Sequence, residues 1–470
     1  LLPIMMIPIN ANPVKIVFCL LLFMMASASH AASNPVPVSF RAEIAPMLLA
    51  QCQNCHGEVK AKGEYRVDSY ANLMRAPDGE PPRVLAGKPS ASLVLQLLLT
   101  GDEDDRMPQK SAPLEPGQIE LVRRWIAEGA SFDGDDPDEP LVRVIPVRWH
   151  DPAPEKYPRP LPVTALAFSP DGAELAASGL REITVWNPAD GSMLRRIRNM
   201  AQRTLALAWS PEGKQLIAAG GIPGELGEAR VFDANTGKLL AVAHRAGDVA
   251  LDVQFDPTGN AFAVADAENR VAIYNATDLS RQRLIDNHAD WVLALAWSLD
   301  SKFLVSASRD RTAKIFEAKS GEAISTYGGH RAEVIGVAFR ADGQQVFSAG
   351  RDGKIHVWKA GLADTTGKRF GAEKVAESGG VGRAMTRLRM NGDRLFSPAK
   401  QGRIRQHAAG SRKLLREFGG AEEWVQALAY HASGHRLATG ARDGRVCVWD
   451  TRTGKLLGEF VSSPGWEGQH

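Results

Sequence analysis

The chain has 470 residues, of which 44% are hydrophobic and 23% are charged. Its length exceeds that of one ordinary domain, and its composition is that of a soluble globular protein with sizeable cores. The formal net charge of +2 gives no reason to expect nucleic acid or an anionic membrane as a partner. Residues 36–140 hold 11 Lys and Arg against 18 Asp and Glu, so an acidic part precedes a basic one.

Residues 1–31 have the features of a secretory signal peptide. Lys15 precedes an apolar run of about a dozen residues, and Ser29 and Ala31 occupy the small-residue positions before a cleavage site. The alternative is a membrane anchor, but the run is shorter than the roughly 20 apolar residues that cross a bilayer. We therefore expect a periplasmic protein that keeps no stable membrane span after cleavage and does not meet nucleic acid.

The segment AQCQNCHGEVK contains Cys52, Cys55 and His56. Zinc needs about four ligands, and the chain has no second Cys pair. A redox-active dithiol is expected in a strand-rich context, which the flanking sequence lacks. Two thiols at this spacing reach the two vinyl groups of one porphyrin and place the following His beneath its iron. The segment therefore predicts one covalently attached haem c, bound through Cys52 and Cys55, with His56 as the proximal iron ligand.

The sequence around this segment has the periodicity of helices. Apolar residues recur at helical spacing over residues 39–52, with Ser39 as a possible N-cap, and Pro46 either kinks this helix or lies in its first turn. A shorter apolar helix begins near Ser90 or Ser92. A third helix follows within residues 114–132 and stops at Gly129. A small helical shell around an apolar ring is the expected structure.

Met107 is the candidate for the second axial ligand of the iron. It lies in the polar loop GDEDDRMPQK, where a Met has no packing role, and it follows His56 by 51 residues. A thioether in this position raises the reduction potential and favours electron transfer over oxygen chemistry. The alternatives are that Met107 is an exposed loop residue, or that Met74 or Met47 is the ligand, although Met47 is explained as helix core.

Five blocks in order resemble the planctomycete-type cytochrome c domain over residues 38–132. The blocks are FRAEIAPMLLAQCQNCHG, YRVDSYANLM, LAGKPSASLVLQLL, RMPQ and LEPGQIELVRRWIAEGA. The resemblance implies a class I-like c-type cytochrome fold, with thioether bonds to Cys52 and Cys55 and with His56 as proximal ligand. Met107 stands at the Met-Pro position of that family, but Gln109 replaces the second Pro that usually follows.

Residues 136–161 are Pro-rich, and we interpret them as an extended linker in which His150 is solvated. Beyond this linker the chain repeats itself. Two positions, mostly occupied by aromatic residues and called here the first and second landmarks, recur about every 42 residues. This period is typical of β-propeller blades. The first landmark is Phe168, Trp209, Phe255, Trp297, Phe339, Leu388 and Tyr430. The second landmark is Trp186, Phe232, Tyr274, Phe316, Trp358, Gln406 and Trp449. Seven repeats predict seven blades.

The repeats resemble the WD-repeat family. The resemblance implies that His330, Ser348, Asp352 and Trp358 form the hydrogen-bonded tetrad of the fifth repeat. The fourth repeat matches it with His288, Ser306 and Asp310, but Phe316 replaces Trp and has no ring N–H. The seventh repeat keeps Thr439, Asp443 and Trp449. These sets are expected to be structural. The sixth repeat, with Gln406 and many basic residues, is predicted to be either irregular or a basic binding edge, and Cys447 is predicted to be a buried, unreactive thiol.

The sequence thus predicts a multidomain α + all-β protein. Its parts are a small all-helical c-type cytochrome domain over 36–135, a linker over 136–161 and a seven-bladed WD-repeat β-propeller over 162–462. We expect an exported electron carrier without catalytic residues, whose propeller docks a redox partner or another protein. The alternatives are a haem-dependent, peroxidase-like enzyme and a redox-sensing scaffold.

Overall fold

A computed structural model of the chain describes residues 36–53, 55–57, 61–76, 79–109, 111–362, 371–378, 389–391, 394–399, 402–409, 411, 413–419 and 423–466. The predicted signal peptide, residues 1–31, lies outside these ranges, and so does the landmark residue Leu388. None of the helices in the described part of the chain has the length and apolar character that crossing a membrane requires.

The first helical run begins at Phe40 and ends at Cys52, as the periodicity predicts. It consists of a π-helical turn Phe40–Ile44, helix α1 Ala45–Met47 and a second π-helical turn Leu48–Cys52. Pro46 lies in α1 and has no N–H to donate, so the regular ladder is interrupted and the turns on both sides are wider. Ser39 Oγ accepts the amide of Ala42 at 2.9 Å, which confirms the predicted N-cap.

Three more helices complete this part of the chain: α2 Tyr70–Met74, α3 Leu93–Leu99 and α4 Pro116–Ala127. Short 3₁₀ turns occur at Lys62–Glu64 and Pro89–Ala91. Helix α3 begins after Ser92, although the Ser92 hydroxyl accepts the Leu85 amide at 2.9 Å instead of capping α3. Gly129 has φ +103° just beyond α4, where the sequence predicts the stop.

Aromatic rings form the centre of the helical part. Phe40 is fully buried, and its ring centroid lies 5.2 Å from that of Tyr70 and 5.6 Å from those of Trp125 and Phe132. Tyr70 also stacks on Phe132 at 4.8 Å. These contacts join the start of the first helical run to α2 and α4, so Phe40 is held in a shared apolar core.

The segment that follows is not the solvated linker that its composition predicts. It contains a short helix α5, Leu141–Val144, whose apolar side chains are buried, and Leu141 is fully so. His150, predicted to be solvated, contacts Glu228 Oε2 through Nε2 at 2.9 Å, and both side chains are buried. Burial of the apolar α5 side chains stabilises the attachment of the segment to the sheets that follow, and the contact between His150 and Glu228 pairs the polar groups buried with them.

The rest of the described chain is built from short antiparallel strands. Their bounds are β1 Leu166–Phe168, β2 Leu175–Ser178, β3 Leu180–Trp186, β4 Met193–Trp209, β5 Gln215–Ile222, β6 Leu226–Asp233, β7 Leu239–Ala246, β8 Ala250–Phe255, β9 Ala261–Asp266, β10 Arg270–Asn275, β11 Arg281–Asp286, β12 Val292–Trp297, β13 Phe303–Ser308 and β14 Ala313–Glu317. They continue as β15 Ala323–Tyr327, β16 Val334–Phe339, β17 Gln345–Gly350, β18 Ile355–Lys359, β19 Lys374–Ser378, β20 Arg389–Asn391, β21 Arg394–Pro398, β22 Ile404–Ala408, β23 Leu414–Phe418, β24 Val425–His431, β25 Arg436–Ala441, β26 Arg445–Asp450 and β27 Leu456–Val461.

The sheets form a propeller-like ring. Strand β1 contacts β4, and contacts then link β4 to β8, β8 to β12, β12 to β16, β16 to β20 and β20 to β24. Strand β24 contacts β1, which closes the ring. The second landmark residue of every repeat is buried, as expected of side chains that pack between neighbouring sheets. First-landmark aromatics, among them Phe168 and Trp297, line a cavity of about 380 Å³ between the inner strands.

The described residues do not form seven separate sheets, as seven predicted blades would require. In the described residues five sheets have four strands each, β8–β11, β12–β15, β16–β19, β20–β23 and β24–β27, and one sheet has seven, β1–β7. The cause is β4, a single strand of 17 residues that pairs with β3 through its first part and with β5 through its second. Asn199, at φ +66°, lies where the pairing partner changes.

The polar sets that the sequence singles out lie inside the sheets. In the fifth repeat His330 contacts Asp352 at 3.0 Å and Ser348 at 2.9 Å, and Trp358 Nε1 donates to Ser348 Oγ at 3.1 Å. The fourth repeat has the first two contacts but no ring donor from Phe316, as predicted. Each set ties the strands of one sheet together, so its role is structural.

The sixth repeat forms a regular sheet in its described residues, β20–β23. Gln406 takes the buried position of the aromatic landmark, and its Oε1 has no hydrogen-bond partner in the described part of the chain. Arg405 and Arg403 both pair with Glu417, at 2.6 and 3.3 Å. The charges of these two arginines, which belong to the predicted basic edge, are therefore largely neutralised within their own sheet.

Candidate functional site

Cys52 and Cys55 lie at the carboxyl end of the first helical run. The amides of Cys55 and His56 both donate to the Cys52 carbonyl at 3.1 Å, so the three residues form one tight turn. Both thiols are half-buried and free, with no disulfide between them. Burial, with a smaller contribution from Cys55, raises the pKa of the Cys52 thiol to about 12. A protonated Cys52 thiol disfavours thiolate binding of a metal ion at this turn.

The backbone of Tyr65 orients the imidazole of His56. His56 Nδ1 lies 3.2 Å from the Tyr65 carbonyl, and the two rings are edge-on at 6.0 Å. Because a carbonyl can only accept, Nδ1 carries the proton in this contact, and the lone pair of the neutral ring is on Nε2. The amide of Val67 donates to the His56 carbonyl at 2.7 Å and fixes the backbone as well. The contact therefore leaves Nε2 as the imidazole atom that could coordinate an iron.

Tyr65 is itself anchored. Its hydroxyl donates to the Leu73 carbonyl in α2 at 2.7 Å. Burial and the neighbouring Cys52 raise the pKa of Tyr65 well above its usual range, so the hydroxyl stays protonated and remains a donor. Sequence reasoning does not identify Tyr65, because its contact with His56 uses a main-chain carbonyl that any residue provides.

Met107 is half-buried in its loop, and its amide donates to the Leu97 carbonyl of α3 at 2.9 Å. The adjacent Arg106 has a buried Nε with no hydrogen-bond partner in the described residues. The rivals differ in placement: Met47 is buried in the helical core, as predicted, and Met74 is half-buried at the end of α2. The Met107 loop thus combines a thioether with an unpaired cationic N–H.

These residues fit a haem group. Two neighbouring thiols, an imidazole with Nε2 available and a thioether provide the attachment and axial donors that a c-type haem uses. The buried Nε of Arg106 lacks an acceptor in the described residues, and a haem carboxylate would supply one.

A second group with metal-binding chemistry lies in the sheet β16–β19. It consists of His330, Asp352 and His356, whose ligand atoms lie within 4.8 Å of one another. His330 already uses both ring nitrogens, and Asp352 is its partner. His356 Nδ1 contacts the Tyr327 hydroxyl at 2.9 Å. Because two of the three ligands are already paired with each other, this group is part of the polar core of the sheet.

Cys447 is buried in β26, as the sequence predicts. Burial raises the pKa of its thiol to about 11. A buried, protonated thiol is a poor nucleophile, so Cys447 packs like a small apolar residue.

Comparisons with known proteins agree with these features. Residues 52–111 match the family described as Planctomycete cytochrome C. Residues 158–187, 280–317, 321–359 and 412–450 match the family described as WD domain, G-beta repeat. The first match includes the Cys52 turn and the Met107 loop, and the second is spread over the ring.

Curated relatives are similar over smaller parts. Periodic tryptophan protein 2 of Saccharomyces cerevisiae is 32% identical over 119 residues, which is 23% of this chain and 13% of that protein. Actin-interacting protein 1 of Drosophila melanogaster is 23% identical over 301 residues, 62% of this chain and 48% of that protein. Guanine nucleotide-binding protein subunit beta of Zea mays is 20% identical over 308 residues, 63% of this chain and 67% of that protein. The chain spans less than half the length of the first two relatives. It combines a planctomycete-type cytochrome c domain, a haem-binding module, with WD repeats that form a propeller-like ring.

Proposed function

We propose that the chain is an exported mono-haem c-type cytochrome that transfers single electrons, with the ring as its protein-docking part. The observation that carries the proposal is the turn at the end of the first helical run. It presents two free thiols, Cys52 and Cys55, and the imidazole of His56, whose Nδ1 is engaged by a backbone carbonyl. This geometry supports covalent attachment of one haem with Nε2 of His56 as its proximal ligand.

Each residue of the site has a definite task in this proposal. Cys52 and Cys55 would form the thioether bonds to the haem, His56 and Met107 would hold its iron, and Arg106 would pair with a haem carboxylate. A bound haem would supply reversible one-electron oxidation and reduction of its iron. The Tyr65 carbonyl keeps the proton on Nδ1 of His56, so the ligand atom does not change with tautomer. With candidates for both axial positions, electron transfer is favoured over catalysis at an open iron.

We also propose that the ring has seven blades, of which the first two share β4. In support, the first part of β4 completes a four-stranded unit with β1, β2 and β3, and its second part begins another with β5, β6 and β7. Counted in this way, every repeat contributes one blade. A closed disc of this kind offers a rigid surface to another protein.

Partners and compartment complete the proposal. Two of the relatives are named for interaction with actin and for being a subunit of a larger protein, which supports a protein-docking role for the ring. In this chain the docked protein would be a redox partner. The predicted signal peptide, residues 1–31, would deliver the chain to the periplasm, where c-type haem is attached.

One experiment tests haem attachment and its second ligand. The full chain is expressed with a cytochrome c maturation system, and optical spectra are recorded for wild type, Met107→Ala and the control Met74→Ala. We expect haem that acidified solvent does not extract and a low-spin ferric spectrum in wild type and the control. Met107→Ala should lose the weak far-red band of sulfur ligation. Extractable haem contradicts covalent attachment, and a high-spin wild type favours the peroxidase-like enzyme.

A separate measurement tests export. The periplasmic fraction of cells that express the full reading frame is analysed by N-terminal sequencing. We expect a mature protein that begins at Ala32. Retention of residues 1–31 on a membrane-bound product would contradict the signal peptide and support the membrane anchor.

A further inference from the structure

The hairpin between β10 and β11 lies against the haem module. Arg281, at the start of β11, donates from Nη2 to the Leu49 carbonyl at 2.7 Å. Leu279 of the same hairpin is buried and belongs to one apolar cluster with Val142 of α5. One loop of the ring therefore holds both the helical run that carries the Cys52 turn and the helix that follows the haem module.

Two further hydrogen bonds make this contact continuous. Arg143 of α5 donates to the Thr277 carbonyl in the hairpin at 3.0 Å. Arg41 of the first helical run donates from Nε to the Val144 carbonyl of α5 at 3.0 Å. Helix α5 is thus fixed to the hairpin on one side and to the first helical run on the other, so the three elements form one connected unit.

Arg281 occupies a position where a cation needs an acceptor. Burial lowers the pKa of its guanidinium, and its Nε has no hydrogen-bond partner in the described residues. Taking a charged donor out of water without a partner is costly. The Leu49 carbonyl is therefore an important acceptor for this side chain, and the bond is charge-assisted.

Leu49 in turn lies where a helix needs a donor. It is three residues before Cys52, so its carbonyl is among the last four of the helical run, which lack the amides of a further turn. The carboxyl end of a helix also carries partial negative charge, which a cation stabilises. Arg281 therefore caps, from the ring, the end of the run on which the haem-attachment turn is built.

We propose that Arg281 is a positioning residue for the haem-attachment turn and that the β10–β11 hairpin couples the state of the ring to that of the haem. The part concerning haem rests on the proposed function, whereas the capping of the turn does not. A protein that binds the ring and shifts this hairpin would change the order of Cys52, Cys55 and His56. By thermodynamic linkage, a change at the haem would alter binding to the ring equally.

The test compares three variants of the full haem-loaded chain: Arg281→Ala, Arg281→Lys and the matched control Arg283→Ala. Arg283 lies two residues along the same strand and donates to the carbonyl of its neighbour Gln282. Hydrogen exchange is measured at the amides of Gln53, Cys55 and His56, together with the midpoint potential of the haem. Loss of one charge-assisted bond should speed exchange about tenfold in Arg281→Ala, with a shifted potential. Lys should restore most of the protection, and Arg283→Ala should match wild type.

Each outcome is decisive. Equal exchange in Arg281→Ala and Arg283→Ala overturns the capping role. Loss of protection throughout the ring in Arg281→Ala marks unfolding, and Arg281→Lys then decides: wild-type exchange supports the proposal, and tenfold faster exchange at the turn overturns it. Faster exchange with an unchanged potential overturns the coupling to haem. If the wild type carries no covalent haem, the proposed function fails, while the exchange rates of the unloaded chain still test the cap.

Discussion

The tetrad of the fifth repeat allows a prediction whose size follows from counted hydrogen bonds. Ser348 is fully buried, and its hydroxyl contacts His330 Nε2 and accepts the ring N–H of Trp358. Because His330 Nδ1 donates to the Asp352 carboxylate, Nε2 is an acceptor that Ser348 satisfies. Ser348→Ala therefore leaves two buried polar groups without partners. At 1–3 kcal/mol for each group, the free energy of unfolding should fall by about 3 kcal/mol.

The fourth repeat provides the internal control. Ser306 contacts His288 Nε2 at 2.6 Å, but Phe316 stands in the place of the Trp and offers no ring donor. Ser306→Ala leaves mainly one buried group, His288 Nε2, without its partner. We expect the free energy of unfolding to fall by about 1.5 kcal/mol. Urea unfolding of the full chain, followed by circular dichroism, measures both values. A loss for Ser306→Ala as large as that for Ser348→Ala would refute the reasoning, because the missing donor would then make no difference.

Three further predictions concern other single side chains. Burial and His330 lower the pKa of His356 from 6.5 to about 4. As pH falls, the unfolded chain therefore binds this proton before the folded chain does. About 2 kcal/mol of the free energy of unfolding should be lost between about pH 7 and pH 5. The charged groups facing His356 are Asp352, Lys374 and Glu377. The urea midpoint of His356→Gln should not fall in this way between pH 7 and pH 5. The same pH dependence in the variant and the wild type would contradict the prediction. Arg106→Gln should lower the haem midpoint potential by roughly 40 mV, equivalent to about 1 kcal/mol for one electron, whereas an unchanged potential argues against a carboxylate partner. Val142→Ala should cost about 1.5 kcal/mol in urea unfolding because Val142 is 3% exposed, while Val375→Ala, 49% exposed, should cost little; similar costs would argue against packing of α5 on the ring.

Local features of the fold were accessible from the sequence because their determinants are close in the chain. Ser39 caps the first helical run through an amide three residues on, and Gly129 adopts the positive φ that ends a helix. The ring follows from a period that repeats many times, so errors in one repeat do not hide it. The Cys52 turn was accessible because its chemistry lies within five consecutive residues.

Features that depend on distant partners were not accessible. Arg281 and Leu49 are 232 residues apart, and no pattern marks either as an interface residue. Helix α5 has four residues, too few for a periodic signal, and its Pro-rich flanks indicate a linker. The fusion of two blades through β4 also escaped prediction, because Asn199 turns the strand by a positive φ without a Gly or Pro.

The buried linker changes what the ring can do for the haem module. A flexible tether would let the module search for its partner, and the ring would only raise the local concentration. Here α5 and the β10–β11 hairpin fix the first helical run to the ring, through Val142 and the bond from Arg281 to Leu49. A partner docked on the ring would therefore meet the Cys52 turn in one orientation, and under the proposed function this orientation would set the distance that an electron crosses. Under the proposed function, loosening that attachment should therefore slow electron transfer to a docked partner even where both domains stay folded, and Arg281→Ala removes one of the bonds that hold it.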